Sequence, residues 1–151
     1  MKRCLLLIVI ITALMFGSVN FIFAQTEKTP QAAETVEVAA TQKLAVIWTS
    51  GDREVALKMV FMYVSNAPRF NWWKDITLVV WGPSAKLLAE DQELQDYLKK
   101  MIDSGIVIKA CKACSDQFGV SEKLAELGVD VKYMGGELTD YIKEGRHVLT
   151  F

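Results

Sequence analysis

Five short apolar runs rich in β-branched residues, separated by stretches of helical pattern, constrain this chain more than any other feature. They are KLAVIWTS (43–50), DITLVVWG (75–82), GIVIKAC (105–111), VDVKYMGG (129–136) and HVLTF (147–151). Being continuous rather than alternating, they read as strands buried on both faces, as in a parallel sheet. Ser50 or Asp52 caps a first helix that runs to about Asn66, since Pro68 forbids continuation. Ser84 or Asp91 caps a second helical region, in which Leu94, Tyr97, Leu98, Met101 and Ile102 recur at helical spacing until Gly105. A third runs from Cys114 or Ser121 to Leu127, and a fourth from Glu137 to Lys143. Strict β-α alternation predicts a three-layer α/β/α sandwich around a five-stranded, mainly parallel sheet of flavodoxin-like type.

The first 24 residues have another grammar. Lys2 and Arg3 precede an apolar run from Cys4 to Phe16, and Ala24 precedes polar sequence. This is the layout of a signal peptide cut after Ala24, which places the rest in the periplasm or outside the cell. The alternative is an uncleaved anchor over residues 4–24 facing the periplasm, the only way the chain engages a membrane. Residues 25–42, alanine-rich and polar with Pro30 near their start, read as a flexible linker. Residues 43–151 form one domain with ample apolar content for a core.

The chain carries 17 basic and 18 acidic residues; without the leader, which holds Lys2 and Arg3 and no acid, its net charge is −3. A weakly acidic domain lacking basic clusters does not grip nucleic acid. Of the three cysteines, Cys4 leaves with the leader, and Cys111 and Cys114 remain as C-x-x-C. In an oxidising compartment such a pair is either a small disulfide or a redox-active dithiol. No metal is expected, because zinc needs four ligands and only two thiols and one histidine, His147, are present. No G-x-G-x-x-G follows the first strand, and no cofactor is called for.

In open parallel sheets, chemistry gathers outside the carboxyl ends of the strands. There the sequence places W-T-S-G-D (48–52), W-G-P-S (81–84) and A-C-K-A-C (110–114). Cys111 ends the third strand, and a helix starting just after it brings free N–H groups toward its sulfur and favours the thiolate. Cys114 lies one helical turn on, placed to resolve a mixed disulfide or persulfide formed on Cys111. Lys109 and Lys112 are read as exposed side chains adding weak positive charge nearby. Trp48, Ser50, Gly51, Asp52, Trp81, Gly82, Ser84 and Gly135 sit on the same rim as candidate pocket residues. The plainer readings are that Trp48 and Trp81 are core and Asp52 is a helix cap.

The strand ending in Cys111, the small residues after it, Gly119 and the closing H-V-L-T-F together resemble the DsrE family over roughly 43–151. That resemblance implies a DsrE-like fold, assembly into trimers or hexamers, and a sulfur-relay role in which Cys111 carries a persulfide received from a sulfur-donor or redox partner protein. The texts W-T-S-G-D (48–52) and V-V-W-G-P-S-A-K-L-L (79–88) resemble an exported branch of the family, whereas the leader, and Cys114 where the relay subunit has a small residue, depart from that subunit and argue against tRNA thiolation. The helix text VALKMVFMYV (55–64), charged only at Lys58, carries more apolar surface than one sheet hides and also points to a homo-oligomer. Two functions follow. One is thiol-based sulfur transfer or redox chemistry, with Cys111 as carrier and Cys114 as resolving thiol. The other is a non-catalytic oligomeric module binding a small ligand or a protein, with a static Cys111–Cys114 disulfide.

Overall fold

The structure, a computed structural model, describes residues 42–151. The expected leader, Cys4 and the linker up to residue 41 lie outside the described residues. Five strands, β1 (Lys43–Trp48), β2 (Asp75–Val80), β3 (Val107–Cys111), β4 (Asp130–Lys132) and β5 (His147–Thr150), form one sheet in the order β4-β3-β2-β1-β5. Every neighbouring pair is parallel. Only β1 and β2 are buried along nearly their whole length; of the edge strands β4 is partly buried and β5 largely exposed, because an edge has a neighbour on one side only.

Helix α1 is one continuous run made of Arg53–Val55, a π-helical stretch Ala56–Phe61, and Met62–Arg69. The wider π turn brings residues five apart onto one face, so Ala56 and Phe61 are both buried. Pro68 does not end the helix, which continues to Arg69. So late in the run a proline forfeits only one intrahelical bond, and Phe70 N–H and Trp72 N–H close the end by donating to the carbonyls of Asn66 and Ala67.

The second helical region is two helices, α2 (Pro83–Glu90) and α3 (Gln92–Asp103), broken where Asp91 turns extended at φ −104° and ψ 111°. Asp91 caps α3 by accepting the Leu94 N–H at 3.0 Å, and the buried Gln95 amide donates to the carbonyls of Leu88 and Ala89 at the end of α2. The third region likewise divides, into α4 (Lys112–Gln117) and α5 (Ser121–Glu126), around Gly119 at φ +68°. Helix α6 (Met134–Lys143) begins three residues earlier than the sequence suggests.

Three successive crossovers, β1 to β2 to β3 to β4, step the same way across the sheet, and right-handedness puts their helices on one face. The crossover from β4 back to β5 runs the other way and puts α6 on the opposite face. The core divides accordingly. Leu44, Val46 and Trp48 of β1 pack with Leu78 and Val80 of β2 against α1, α2, α3 and α5. Ala45, Ile47 and Val79 face the other way, with Cys111 and Met134 of α6.

Candidate functional site

The topology singles out one position at the carboxyl edge. The chain leaves β3 into α4, which packs beside α2, and leaves β4 into α6 on the opposite face. Adjacent strands whose exits diverge create the crevice in which open α/β sheets place their chemistry. Cys111 of β3 and Lys132 of β4 are register partners at that divergence.

Cys111 is the N-cap residue of α4, with φ −69° and ψ 106°, yet its side chain makes no cap hydrogen bond. Its sulfur turns instead into the apolar cluster of Ala45, Ile47, Val79 and Met134, and the residue is 4% exposed. The contact expected between this sulfur and the helix N–H groups is thus not made. Strand parity aims the side chain at the α6 face before the helix begins.

Cys114, in the first turn of α4, packs against the same cluster and is partly exposed. Both cysteines are free, and they pack in one cluster at the N-cap and in the first turn of the same helix. Burial pushes the Cys114 thiol above its ordinary range and the Cys111 sulfhydryl adds to this, while the Gly82 N–H pulls the other way.

That N–H comes from the W-G-P-S turn. Gly82 has φ +72° and ψ −136°, a conformation essentially restricted to glycine. Ser84 is fully buried and locks the turn: its hydroxyl donates to the Trp48 carbonyl at 2.6 Å and accepts the Trp81 N–H at 3.0 Å. Trp81 packs on the thiol cluster. The β1 loop meets the same turn, for a Cβ placed on Gly51 would lie 3.3 Å from the Pro83 ring.

Other candidate rim residues are not part of the site. Trp48 is completely buried on the opposite face, edge-on to Phe61 at 5.2 Å, because its position in β1 has the opposite parity to Cys111. Asp52 is the N-cap of α1, accepting the N–H groups of Glu54 and Val55, and Ser50 accepts the Asp52 N–H. Gly135 lies exposed inside the first turn of α6, where its carbonyl accepts the Thr139 hydroxyl. His147 is exposed on β5, its ring 5.1 Å from that of Trp73.

Two neighbours escaped the sequence reading and a third was misread. Met134 is buried beneath the thiols, and Tyr133, largely exposed, stands 5.8 Å from the Lys112 ammonium. Lys109 is not the exposed cation expected: only 16% of its side chain is exposed, and it is ion-paired to Glu137 and donates to the Tyr141 hydroxyl at 3.0 Å. Burial works against the charged form of Glu137, but Lys109, Lys132 and Tyr141 outweigh it and hold the carboxyl down at about 2. The signal available in sequence was Glu137 and Tyr141 one helical turn apart.

Away from the thiols, a recess of about 220 Å³ is lined by Asp116, Gly119, Ser121 and Glu122, and one of about 350 Å³ opens at the other end of the strands by Trp73 and Ile106. Among the described residues no group of three or more His, Cys, Asp or Glu side chains is placed to hold a metal ion, and no helix is long and apolar enough to cross a membrane.

A parallel five-stranded α/β sandwich of this strand order defines a flavodoxin-like protein, and Cys111 and Cys114 pack together at the carboxyl end of β3, beside the topological switch point. The chain belongs to the DsrE/DsrF-like family, whose model matches residues 18–151. That match begins inside the segment read as the leader. A conserved protein of unknown function from Bacteroides thetaiotaomicron is similar over 73% of this chain and 95% of its own, at 39% identity and a TM-score of 0.70. The YchN protein of E. coli shares the fold at 19% identity and a TM-score of 0.57, over 74% of this chain and all of its own. No curated protein matches the sequence.

Proposed function

We propose that this is an exported thiol protein for sulfur transfer or redox chemistry, in which Cys111 carries sulfur as a persulfide and Cys114 resolves it. Membership of the DsrE/DsrF-like family points to sulfur-relay or redox chemistry in general. The observation that carries the finer reading is the packing of two free sulfhydryls of unequal exposure in one cluster at the end of β3. A buried sulfur suits a carrier, since a persulfide there is shielded from solvent oxidants and bulky thiols, and a partly exposed neighbour suits the group that meets the reductant.

The apolar Met59 and Met62, exposed on α1 at 47% and 52%, support self-association as part of this reading. The sequence layout of residues 1–24 supports export.

The test is mass spectrometry of the reduced protein after exposure to a sulfane-sulfur donor. Gain of one sulfur on the Cys111 peptide, or conversion of the pair to a disulfide, is expected in the wild type. Loss of both outcomes in Cys111→Ser is expected too. A wild-type pair that stays locked as a disulfide, or that once reduced is inert to the donor, would leave the non-catalytic binding module as the better reading.

A further inference from the structure

We infer that the site ends a sulfur transfer rather than passing it on: it takes sulfane sulfur from a small donor, releases it as sulfide, and is reset by an external dithiol. This rests on the sulfur-transfer reading above and specifies its substrate class, product and co-reactant.

Which sulfur Cys114 faces decides the outcome. A persulfide on Cys111 has an inner sulfur, the original Sγ, and an outer one. Attack on the outer sulfur moves it to the attacking thiol, which is relay. Attack on the inner sulfur closes a disulfide and expels the outer sulfur as HS⁻. Cys111 is the N-cap of α4 and Cys114 lies in its first turn, and both side chains pack in one cluster, which sets the Cys114 sulfhydryl beside Cys111 Sγ. The inner atom is therefore the one within its reach.

Access selects the donor. Cys111 is 4% exposed, with Cys114 and Trp81 packed on the same cluster and Met134 beneath. In-line attack by this sulfur on a persulfide carried by another protein would require that backbone to enter the same packed space. A low-molecular-weight persulfide or polysulfide needs only the width of a sulfur chain.

The steps balance. The Cys111 thiolate attacks the terminal sulfur of RSSH, forming Cys111–SSH and releasing RS⁻. The Cys114 thiolate attacks the inner sulfur, forming the Cys111–Cys114 disulfide and releasing HS⁻; the sulfane sulfur gains two electrons and the two cysteines lose them. A dithiol attacks the disulfide and leaves both thiols reduced and itself oxidised. The sum is RSSH plus dithiol giving RSH, hydrogen sulfide and the cyclic disulfide. Cys114, the more exposed of the two, is where the incoming reductant meets the disulfide.

The experiment uses the full reduced chain carrying Cys4→Ser, so that only the two thiols of the site remain, with glutathione persulfide as donor in single turnover. Sulfide is trapped as its bimane derivative and the protein is weighed intact. The expected result is one sulfide per chain together with the internal disulfide, and continued sulfide production when dithiothreitol is added. Cys114→Ser and Cys114→Ala should each retain one extra sulfur and lower sulfide yield at least ~10-fold. A wild type that accumulates the Cys111 persulfide, with no disulfide and no sulfide, overturns this inference and leaves the carrier reading intact. A wild type that takes up no sulfur and forms no disulfide overturns both.

Discussion

Cys114, in the first turn of α4, packs in one cluster with Cys111, the buried residue that ends β3 and caps that helix. Its charged form is opposed by burial and by Cys111 and favoured by Gly82. Alkylation with iodoacetamide followed by peptide mapping should therefore show Cys114 modified before Cys111, with a midpoint above that of a free cysteine. In Cys111→Ala that midpoint should move down, because one of the opposing groups is gone. A midpoint that stays put would show that the two sulfhydryls do not interact.

Gly82→Ala isolates the backbone of the W-G-P-S turn. A Cβ there meets nothing within 4 Å, so the substitution is opposed by conformation and not by a clash. At φ +72° and ψ −136° the cost should be about 1–3 kcal/mol, seen as a lowered Tm. If the turn relaxes, the N–H leaves Cys114 and the alkylation midpoint rises further. Ser84→Ala, which removes the hydroxyl joining the Trp48 carbonyl to the turn, should move the midpoint the same way.

Glu137 makes the fold acid-sensitive. Its carboxyl is held at about 2 in the folded protein against an ordinary value of 4.5. Being depressed, it contributes stability that is complete above its unfolded value and is lost as pH falls from about 4.5 through about 2, on the order of 3 kcal/mol in all. Chemical denaturation of the wild type should show this loss over that window. Glu137→Gln should be less stable at pH 7, leaving Lys109 underpaired at 16% side-chain exposure, and should show a flatter acid limb.

Neighbours on α1 should respond in opposite ways. Phe61 is fully buried against Trp48 and Tyr97, so Phe61→Ala should cost about 3–5 kcal/mol in unfolding experiments. Met62 is 52% exposed, so Met62→Glu should leave unfolding within about 0.5 kcal/mol if the protein is monomeric. If this face joins copies, the same change should lower the mass measured by light scattering at micromolar concentration. An unchanged mass from an oligomeric wild type would move the interface elsewhere.

Much of the helical text 55–64 that sequence reading assigned to an interface is instead internal. Val60 and Val64 face the sheet, and Phe61 is covered by Tyr97 of α3, leaving Met59 and Met62 as the exposed large apolar side chains of the helix. Composition shows how apolar a helix is but not how many neighbours cover it. The second helix from the α2–α3 crossover supplied the cover here, and its break at Asp91 was visible only as one of two alternative caps.

What the sequence determined by itself was local and periodic. The five apolar runs became the five parallel strands, and Cys111 ends the third. β-branched continuity, helix caps and turn glycines act over a few residues, so they can be read along the chain. Only the tertiary structure decided which way each side chain points and what it meets. Trp48 and Trp81 end their runs in the same way in sequence, yet one is core on the helix-rich face and the other packs on the thiols, because parity has meaning only relative to a register with neighbouring strands. Lys109 finds Glu137 across 28 residues, and Cys114 finds the N–H of Gly82 from another crossover. Burial and hydrogen bonding of this kind are set by groups far apart in the chain, and they fix the environment of the thiols, which local pattern cannot encode.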